Sequence, residues 1–190
     1  MFDLLVKGKS SHAGSQPKEG VSAIEELAQQ ILKLHGMTNY QKGNTVNVGV
    51  VNGGTQSNVI AGEAYAEVDV RITKASEVDN IINSIQKLQP IMSETELEIQ
   101  GGLNRPPMER TFAIKKLFHH AKHLADELGI ELAEESSGGG SDGNFTAALE
   151  IPTLDGLGSV GQGEHSKNEL IYINYLPERT ALLTRLFETL

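Results

Sequence analysis

Two stretches of the chain alternate apolar and polar residues with the two-residue period of a strand that is buried on one face. They span residues 45–51 and residues 63–72. Successive side chains of a strand point to opposite faces of a sheet, so each stretch is predicted to bury one face and expose the other. Two such strands in succession, joined through the turn-forming Asn52-Gly53-Gly54, predict an antiparallel pair. The residues predicted to point inward are Val46, Val48, Val50, Ala64, Ala66, Val68 and Val70.

The elements on either side of this pair complete a pattern of six. Apolar residues at helical spacing predict one helix over residues 21–34 and a second over residues 76–91, with Ser76 as the cap of the second. Short apolar stretches predict further strands at residues 2–7 and 96–100. The order βαββαβ predicts a ferredoxin-like, four-stranded antiparallel sheet with both helices on one face.

Residues 101–107, which read GGLNRPP, predict a boundary between a domain at 1–105 and a domain at 106–190. The order of strand, loop, helix and strand beyond this boundary predicts half of a parallel α/β sheet. No earlier strands are available to complete that sheet, so the chain is expected to be a fragment of a larger protein. The elements predicted here are helices at 112–128, 142–149 and 177–190 and strands at 130–133 and 151–157.

Composition narrows the classes of function. The chain has 16 Lys and Arg against 25 Asp and Glu, a net charge of −9, which argues against nucleic acid as a partner. There is no Cys, so any metal must be held by His and carboxylate side chains. No apolar stretch is long enough to span a membrane, and no membrane partner is expected.

Three residues of the first predicted domain are candidates for function, and each has an ordinary alternative. His12 lies among small residues in Ser-Ser-His-Ala-Gly, where a solvated surface histidine is the alternative. Asn58 precedes a predicted strand and fits an ordinary turn as well. Arg105 lies at the predicted boundary, where it could hold a carboxylate or simply belong to a polar linker.

The second predicted domain holds two further candidates. The loop at residues 137–143 is rich in Gly and precedes a short predicted helix, an arrangement that presents backbone N–H groups to an anion; a flexible turn is the alternative. His165 follows another Gly-rich loop at the carboxyl end of a predicted strand, where open α/β sheets bind ligands. His119 and His123 have a spacing that could bind a metal, but we interpret them, together with His120, as a solvated helix face.

In order and spacing, these motifs resemble one family: the co-catalytic zinc exopeptidases and deacylases of the glutamate carboxypeptidase type. The family includes acetylornithine deacetylase and succinyl-diaminopimelate desuccinylase, and the glutamate carboxypeptidase branch is the most similar. The resemblance covers nearly the whole chain. The matching stretches are KGKSSHAGSQPKEGVSAI, VNVGVVNGGTQSNVIAGEAYAEVDVR, NRPPME, SSGGGSDGNF and GLGSVGQGEHSKNELI.

The resemblance implies a two-zinc cofactor in the intact enzyme, with His165 as its carboxyl-terminal metal ligand. The other metal ligands and the general base of the family lie in an amino-terminal segment that precedes the part matched here. Glu134 and Glu135 match the wrong position to replace that base, and we interpret them as a strand end. The metal site is therefore expected to be incomplete here, and the chain by itself is expected to be inactive.

The resemblance also implies how substrate is bound. His12 would be the lid histidine that reaches the active site of the partner subunit in a homodimer formed through residues 1–105, and it would stabilise the tetrahedral oxyanion. Asn58 and Arg105 would contact the substrate, with Arg105 holding its free carboxylate. The residues that would frame the pocket are Gly138, Gly139 and Gly140.

The predicted function is that of part of a metal-dependent amide hydrolase that cleaves short peptides or N-acyl amino acids. A non-catalytic dimerisation module of the same family is the alternative. A regulatory ligand-binding domain of ferredoxin-like fold would explain residues 1–105 but not the Gly-rich loop or His165. The sequence does not determine the cellular compartment, because any signal peptide would lie upstream of this chain. The cytoplasm is favoured.

Overall fold

The computed structural model describes residues 1–190 and divides them into two compact units, Met1–Pro107 and Met108–Leu190. The first unit is built from two α-helices and six strands. In chain order they are β1 (Phe2–Lys7), β2 (Ser11–His12), α1 (Ala23–His35), β3 (Asn44–Gly53), β4 (Val59–Ile60), β5 (Glu63–Ile72), α2 (Ala75–Gln86) and β6 (Glu96–Gly101).

Four of these strands form one antiparallel sheet in the order β3-β5-β1-β6. Phe2 of β1 lies opposite Val68 of β5 on one side and opposite Gly101 of β6 on the other. Helix α1 follows β1, and helix α2 follows β5. The predicted ferredoxin-like βαββαβ arrangement is confirmed. Strands β2 and β4 form a separate two-stranded sheet.

One face of the four-stranded sheet packs against both helices. Helix α1 begins after Ser22, whose hydroxyl accepts a hydrogen bond from the Glu25 N–H at 3.2 Å, and it ends at Gly36. Its apolar side meets alternate residues of the strands, as the sequence period predicts. The buried core comprises Phe2, Leu4, Val6, Ala23, Leu27, Leu34, Val46, Ala64, Ala66, Val68, Ile81 and Ile85.

Helix α2 is shorter than predicted, because it covers Ala75–Gln86 rather than residues 76–91. The prediction that Ser76 caps it is wrong: Lys74 holds the cap position and makes no side-chain capping bond. Pro90 explains the early end. Proline has no N–H to donate and disfavours helical backbone at the residue before it, so the chain leaves the helix upstream of that point.

Strand β3 contains a β-bulge that overturns one prediction. Val48 lies opposite Val68, whereas the next paired residue, Val50, lies opposite Glu67, so Gly49 is the extra residue of the bulge. The bulge turns the side chains that follow it to the other face. Val50 is therefore 41% exposed and does not share the inward face of the earlier valines.

A buried carboxylate fastens the loop before β6 to helix α1. Glu26 is fully buried, and its carboxylate accepts hydrogen bonds from the backbone N–H groups of Ile91 and Met92, at 3.0 and 2.7 Å. The side chains of Gln30 and Thr95 donate to it as well, at 2.6 and 3.4 Å. Burial alone would raise the pKa of Glu26, but these donors outweigh it and hold the pKa below its ordinary value.

The second unit is organised by two helices that pack on each other. Its core consists of Ala121, Leu124, Ala125, Ile130, Leu132, Leu182 and Leu186. Its elements are α3 (Phe112–Glu127), α4 (Gly143–Ala148), β7 (Gly161–Gln162), β8 (Leu170–Ile171) and α5 (Leu176–Thr189). All three predicted helices are present. No helix of the structure combines the length and the apolar character needed to cross a membrane.

The two strands predicted in the second unit, at residues 130–133 and 151–157, are absent, and no parallel sheet forms. Both segments still bury apolar side chains against the helices, among them Ile130, Leu132 and, in part, Leu154. A strand exists only through hydrogen bonds to a neighbouring strand. The second unit places no strand beside either segment, so their apolar character alone does not make them strands.

Replacement of Glu26 by Gln tests the role of the buried carboxylate. We expect Glu26→Gln to lower the free energy of unfolding at neutral pH by about 1.5–3 kcal/mol, the usual value for hydrogen bonds to a charged group. The folded-state pKa of Glu26 lies below the unfolded value of about 4.3, so this stabilisation is present above that pH and is lost as the pH falls through the folded pKa. The difference between the two proteins should therefore shrink in acid.

Urea unfolding at a series of pH values measures this difference. Glu25→Gln is the matched control, because Glu25 is exposed in the same helical turn. An equal loss of stability in both variants, or a difference that does not change with pH, would contradict the assigned role of Glu26.

Candidate functional site

His12 lies on the small sheet formed by β2 and β4, and Asn58 directly precedes β4. His12 pairs with Val59 across this sheet, and the Ala13 N–H donates a hydrogen bond to the carbonyl oxygen of Asn58 at 2.9 Å. Directly opposed residues of an antiparallel pair are about 4.5–5.5 Å apart. Two residues that are 46 positions apart in the sequence therefore share one small surface, and both are candidates for function.

The imidazole of His12 is exposed but held by the turn that follows it. Its Nδ1 accepts hydrogen bonds from the backbone N–H groups of Gly14 and Ser15, both at 3.1 Å. The Gln16 N–H donates to the carbonyl oxygen of His12 at 3.0 Å and closes the turn. The orientation of the ring is thus set by backbone groups rather than by a neighbouring side chain.

Close packing around β2 depends on two glycines. A Cβ at Gly20 would lie 2.3 Å from Ser11 Oγ, and a Cβ at Gly62 would lie 2.4 Å from Ser10 Oγ. Both distances are too short for real contacts, so a side chain at either position would displace at least these serine hydroxyls.

Arg105 lies in the segment that follows β6, near the end of the first unit, and is half-buried. The start of this segment is tied to the amino terminus. The Met1 ammonium donates to the carbonyl oxygen of Gly102 at 2.9 Å, and the Gly102 N–H donates to that of Met1 at 3.0 Å. Arg105 thus follows a fixed point at the edge of the sheet and is not part of the β2–β4 pair.

In the second unit, glycines 138–140 lie in an exposed loop before α4. The Gly139 N–H donates to Ser137 Oγ at 3.0 Å within this loop. A Cβ at Gly138 would meet no atom within 4 Å, so packing inside the unit does not require a glycine there. The missing side chains leave backbone groups of the loop accessible, which suits a loop that frames a ligand.

His165 lies at the tip of the β7–β8 hairpin and is exposed. Its φ is 61°, in the left-handed region that residues other than glycine seldom occupy. Ser166 donates its N–H to the carbonyl oxygen of Gly163 at 3.0 Å and closes the tip. Glu94 and Glu150 adopt the same region, which histidine enters more often than most residues, so the conformation defines the shape of the hairpin tip and assigns no function by itself.

A zinc site is not complete in this chain. His119 Nδ1 lies 2.6 Å from the carbonyl oxygen of Lys115, and His123 Nε2 lies 3.4 Å from Glu127. No three His, Asp or Glu side chains come together as a metal-binding group. Catalytic zinc takes about three protein ligands. The residues present therefore do not fit a complete zinc site.

Glu134 is engaged in an ion pair. Its carboxylate accepts a bond of 2.6 Å from Arg110 Nε and a second bond from Arg110 Nη2. These hydrogen bonds hold the pKa of the Glu134 carboxyl below its ordinary value. A carboxylate paired in this way is poorly suited to accept a proton. The interpretation of Glu134 as the end of a strand is wrong, since residues 130–133 form none.

Arg179 is a candidate that sequence analysis missed. It lies on α5, where its Nε donates to the carbonyl oxygen of Gly158 at 2.8 Å and its Nη2 donates to that of Gly156. These bonds hold the loop that leads into β7 and so toward the hairpin that carries His165. No local pattern could have shown this role, because both acceptors are backbone carbonyls more than 20 residues upstream.

Comparison with known proteins adds to this geometry. Residues 1–89 match the profile of the M20 peptidase dimerisation domain. Carboxypeptidase G2 from Pseudomonas sp. (strain RS-16) is 30% identical over 185 residues, which cover 95% of this chain and 45% of that protein. The crystal structure of aminopeptidase PepT from Bacillus cereus matches with a TM-score of 0.75 at 25% identity, covering 98% of this chain and 50% of that one.

A third match concerns the fold alone. A Bacillus subtilis protein, described as a dinuclear metal-binding peptidase from the M20 family, matches with a TM-score of 0.68 at 19% identity. This match covers 97% of the present chain and 48% of the other.

The first unit is thus a peptidase dimerisation domain, and its relatives place this unit in the M20 peptidase family, whose members are hydrolases. The resemblance found in the motifs is confirmed. The chain spans about half the length of the curated relatives it matches, 45% and 49% for two of them.

Replacement of Arg179 tests whether it holds the loop before β7. We expect Arg179→Met to speed amide hydrogen exchange in residues 156–162 by about 10- to 100-fold, because it removes bonds from a charged donor worth about 1.5–3 kcal/mol. Arg185→Met is the control, since Arg185 lies on the same helix and pairs with side chains of Glu127 and Glu188. Unchanged exchange in Arg179→Met would show that the loop is held by other contacts.

Proposed function

We propose that this chain forms the lid and the carboxyl-terminal catalytic portion of a metal-dependent amide hydrolase. Its substrates are short peptides or N-acyl amino acids with a free carboxylate. The observation that carries the proposal is the fixed imidazole of His12 beside Asn58, on the surface of an M20 dimerisation domain. The names of two matched relatives, a carboxypeptidase and an aminopeptidase, support the substrate class.

His12 is proposed to stabilise the oxyanion of the reaction. Attack on an amide carbon places negative charge on the carbonyl oxygen, and an imidazole N–H can donate a hydrogen bond to it. Loss of one such donor typically lowers kcat by about 10²–10³. As a lid residue on a self-associating domain, His12 is proposed to serve the active site of the partner subunit.

Substrate recognition is proposed for Asn58, Arg105 and the loop at glycines 138–140. Arg105 would hold the free carboxylate, because a planar guanidinium matches a carboxylate with two parallel hydrogen bonds. Asn58 would contact the substrate beside His12. The loop at glycines 138–140 would frame the pocket through its accessible backbone.

His165 is proposed as one ligand of a two-zinc site in the complete enzyme. Zinc, when bound, activates water and polarises the scissile carbonyl. The other ligands and the general base would come from outside residues 1–190. The chain alone is therefore expected to hold zinc weakly and to hydrolyse nothing.

Self-association is proposed through a surface made by the free edge of β3 and by helix α1. An edge strand presents unpaired N–H and C=O groups that can pair with a second copy. Beyond the bulge, Val51 is 53% exposed, and Ile24 and Leu32 of α1 are 47% and 76% exposed. Two β3 strands related by a two-fold axis would form one continuous sheet and cover these apolar side chains. We call this the β3-edge surface.

A charge placed in the β3-edge surface should weaken the dimer. We expect Val51→Asp to raise the dimer dissociation constant by at least about tenfold, since burying an unpaired charge costs more than the 1.4 kcal/mol that tenfold represents. Sedimentation across a concentration series measures this constant. Gln100→Asp, on the opposite edge strand β6, is the control. If Gln100→Asp weakens the dimer and Val51→Asp does not, the interface lies at the β6 edge and the proposed β3-edge surface is wrong.

Complementation in the complete enzyme tests the function of His12 and His165. A His12→Ala subunit and a His165→Ala subunit should each be nearly inactive as homodimers. Mixed, they should form heterodimers that recover activity at one of their two sites, because one site combines both histidines. His12→Ala mixed with a subunit that carries both substitutions is the control and should recover nothing.

Two outcomes would change the assignment. Heterodimers without activity would place His12 outside the partner's active site. A complete enzyme that dimerises normally but hydrolyses none of a panel of peptides and N-acyl amino acids would instead favour a non-catalytic dimerisation module.

A further inference from the structure

The turn at residues 13–16 directs two backbone donors at a single atom of His12. The N–H groups of Gly14 and Ser15 both bond to Nδ1, each at 3.1 Å. We infer that this turn fixes the tautomer of the neutral His12 ring, so that Nδ1 is the acceptor and the ring proton lies on Nε2. Gly14 and Ser15 are then positioning residues that act through their backbone N–H groups. The catalytic consequence rests on the proposed function; the tautomer itself does not.

The physical reason lies in the two nitrogens of imidazole. The neutral ring has one N–H donor and one nitrogen with a lone pair. With the lone pair on Nδ1, both bonds from the turn are satisfied. With the proton on Nδ1, three N–H groups would point at one another, and the backbone donors of Gly14 and Ser15 would lose their partner.

The turn itself is anchored independently of the ring. The Gln16 N–H donates to the carbonyl oxygen of His12 at 3.0 Å, and the Ala13 N–H donates to that of Asn58 at 2.9 Å. A Cβ at Gly14 would lie 3.4 Å from His12 Cε1, so the ring lies directly against the backbone of the turn. The two donors are therefore held in place by the β2–β4 sheet and do not have to follow the ring.

The tautomer decides what His12 can do. A protonated Nε2 can donate a hydrogen bond, but it has no lone pair with which to accept a proton or bind a metal. Histidines that bind metals usually show the reverse arrangement, in which the second ring nitrogen donates to a carbonyl or carboxylate. The geometry thus assigns to His12 an electron-rich oxygen as its partner, and it excludes the roles of general base and metal ligand through Nε2.

Nitrogen NMR of the ¹⁵N-labelled 190-residue chain tests the inference without metal or substrate. Long-range ¹H–¹⁵N correlations report which ring nitrogen carries the proton, in buffer at least about two pH units above the ordinary histidine pKa of about 6.5. His12→Gln identifies the His12 signals. The exposed His35 on α1 provides the reference for a ring in solvent. We expect Nδ1 of His12 to be unprotonated and Nε2 to be protonated.

Two variants of Ser15 then test the cause. Ser15→Pro removes the backbone N–H and should raise the Nδ1-protonated population about fivefold, the effect of losing one neutral hydrogen bond. Ser15→Ala keeps the N–H and should leave the tautomer unchanged. If both variants leave it unchanged, the turn does not select the tautomer. If Ser15→Pro does not fold, the wild-type spectrum decides alone: an Nδ1-protonated ring, or an averaged ring like that of His35, overturns the inference.

Failure of this inference and failure of the proposed function give different results. A fixed Nε2–H tautomer together with an undiminished kcat in His12→Ala of the complete enzyme would contradict the function and leave the tautomer selection standing. A ring that averages between tautomers, together with a kcat lowered by His12→Ala, would contradict the tautomer selection and leave the function standing.

Discussion

The register between β1 and β5 determines where the candidate site of the first unit lies. The two strands are antiparallel neighbours, and their ladder ends with Lys7 opposite Glu63. The residues that follow Lys7 and those that precede Glu63 therefore remain neighbours and pair again as β2 and β4, with His12 opposite Val59. A shift of one residue in this ladder would turn the buried face outward and would change which residues meet across β2 and β4. The same hydrogen bonds thus specify both the core and the site.

One-sided burial of the sheet has two further consequences. Because α1 and α2 cover the same face, both edges of the sheet remain open, and the β3 edge carries exposed apolar side chains beyond its bulge. Helix α1 contributes both to the packing of the unit and to the β3-edge surface. Its buried side carries Glu26, which holds the loop before β6, while Ile24 and Leu32 on its exposed side belong to the β3-edge surface. The contacts that stabilise the unit and the surface proposed for self-association therefore lie on opposite sides of one helix.

The second unit shows how loop geometry can be set from a distance. His165 is held in left-handed backbone at a hairpin tip, and the loop leading to that hairpin is bonded to Arg179 on α5. The extended segments at 130–133 and 151–157 contribute apolar side chains to the core without forming strands. The unit is therefore ordered by the packing of α3 on α5 and by side-chain bonds to its loops, rather than by a sheet.

Local periodicity was enough to predict the order βαββαβ, all three helices of the second unit and the residues that point inward from β5, because these depend on neighbours along the chain. The five matching stretches, taken together in their order and spacing, were enough to indicate the family. Only the tertiary structure decided what depends on distant partners: the bulge at Gly49, the donors around Glu26, the contact of Arg179 with its loop and the absence of two predicted strands. The period of apolar residues in the sequence shows which face of an element each side chain occupies. A hydrogen bond also requires a second group, and only the fold brings a distant group to its partner.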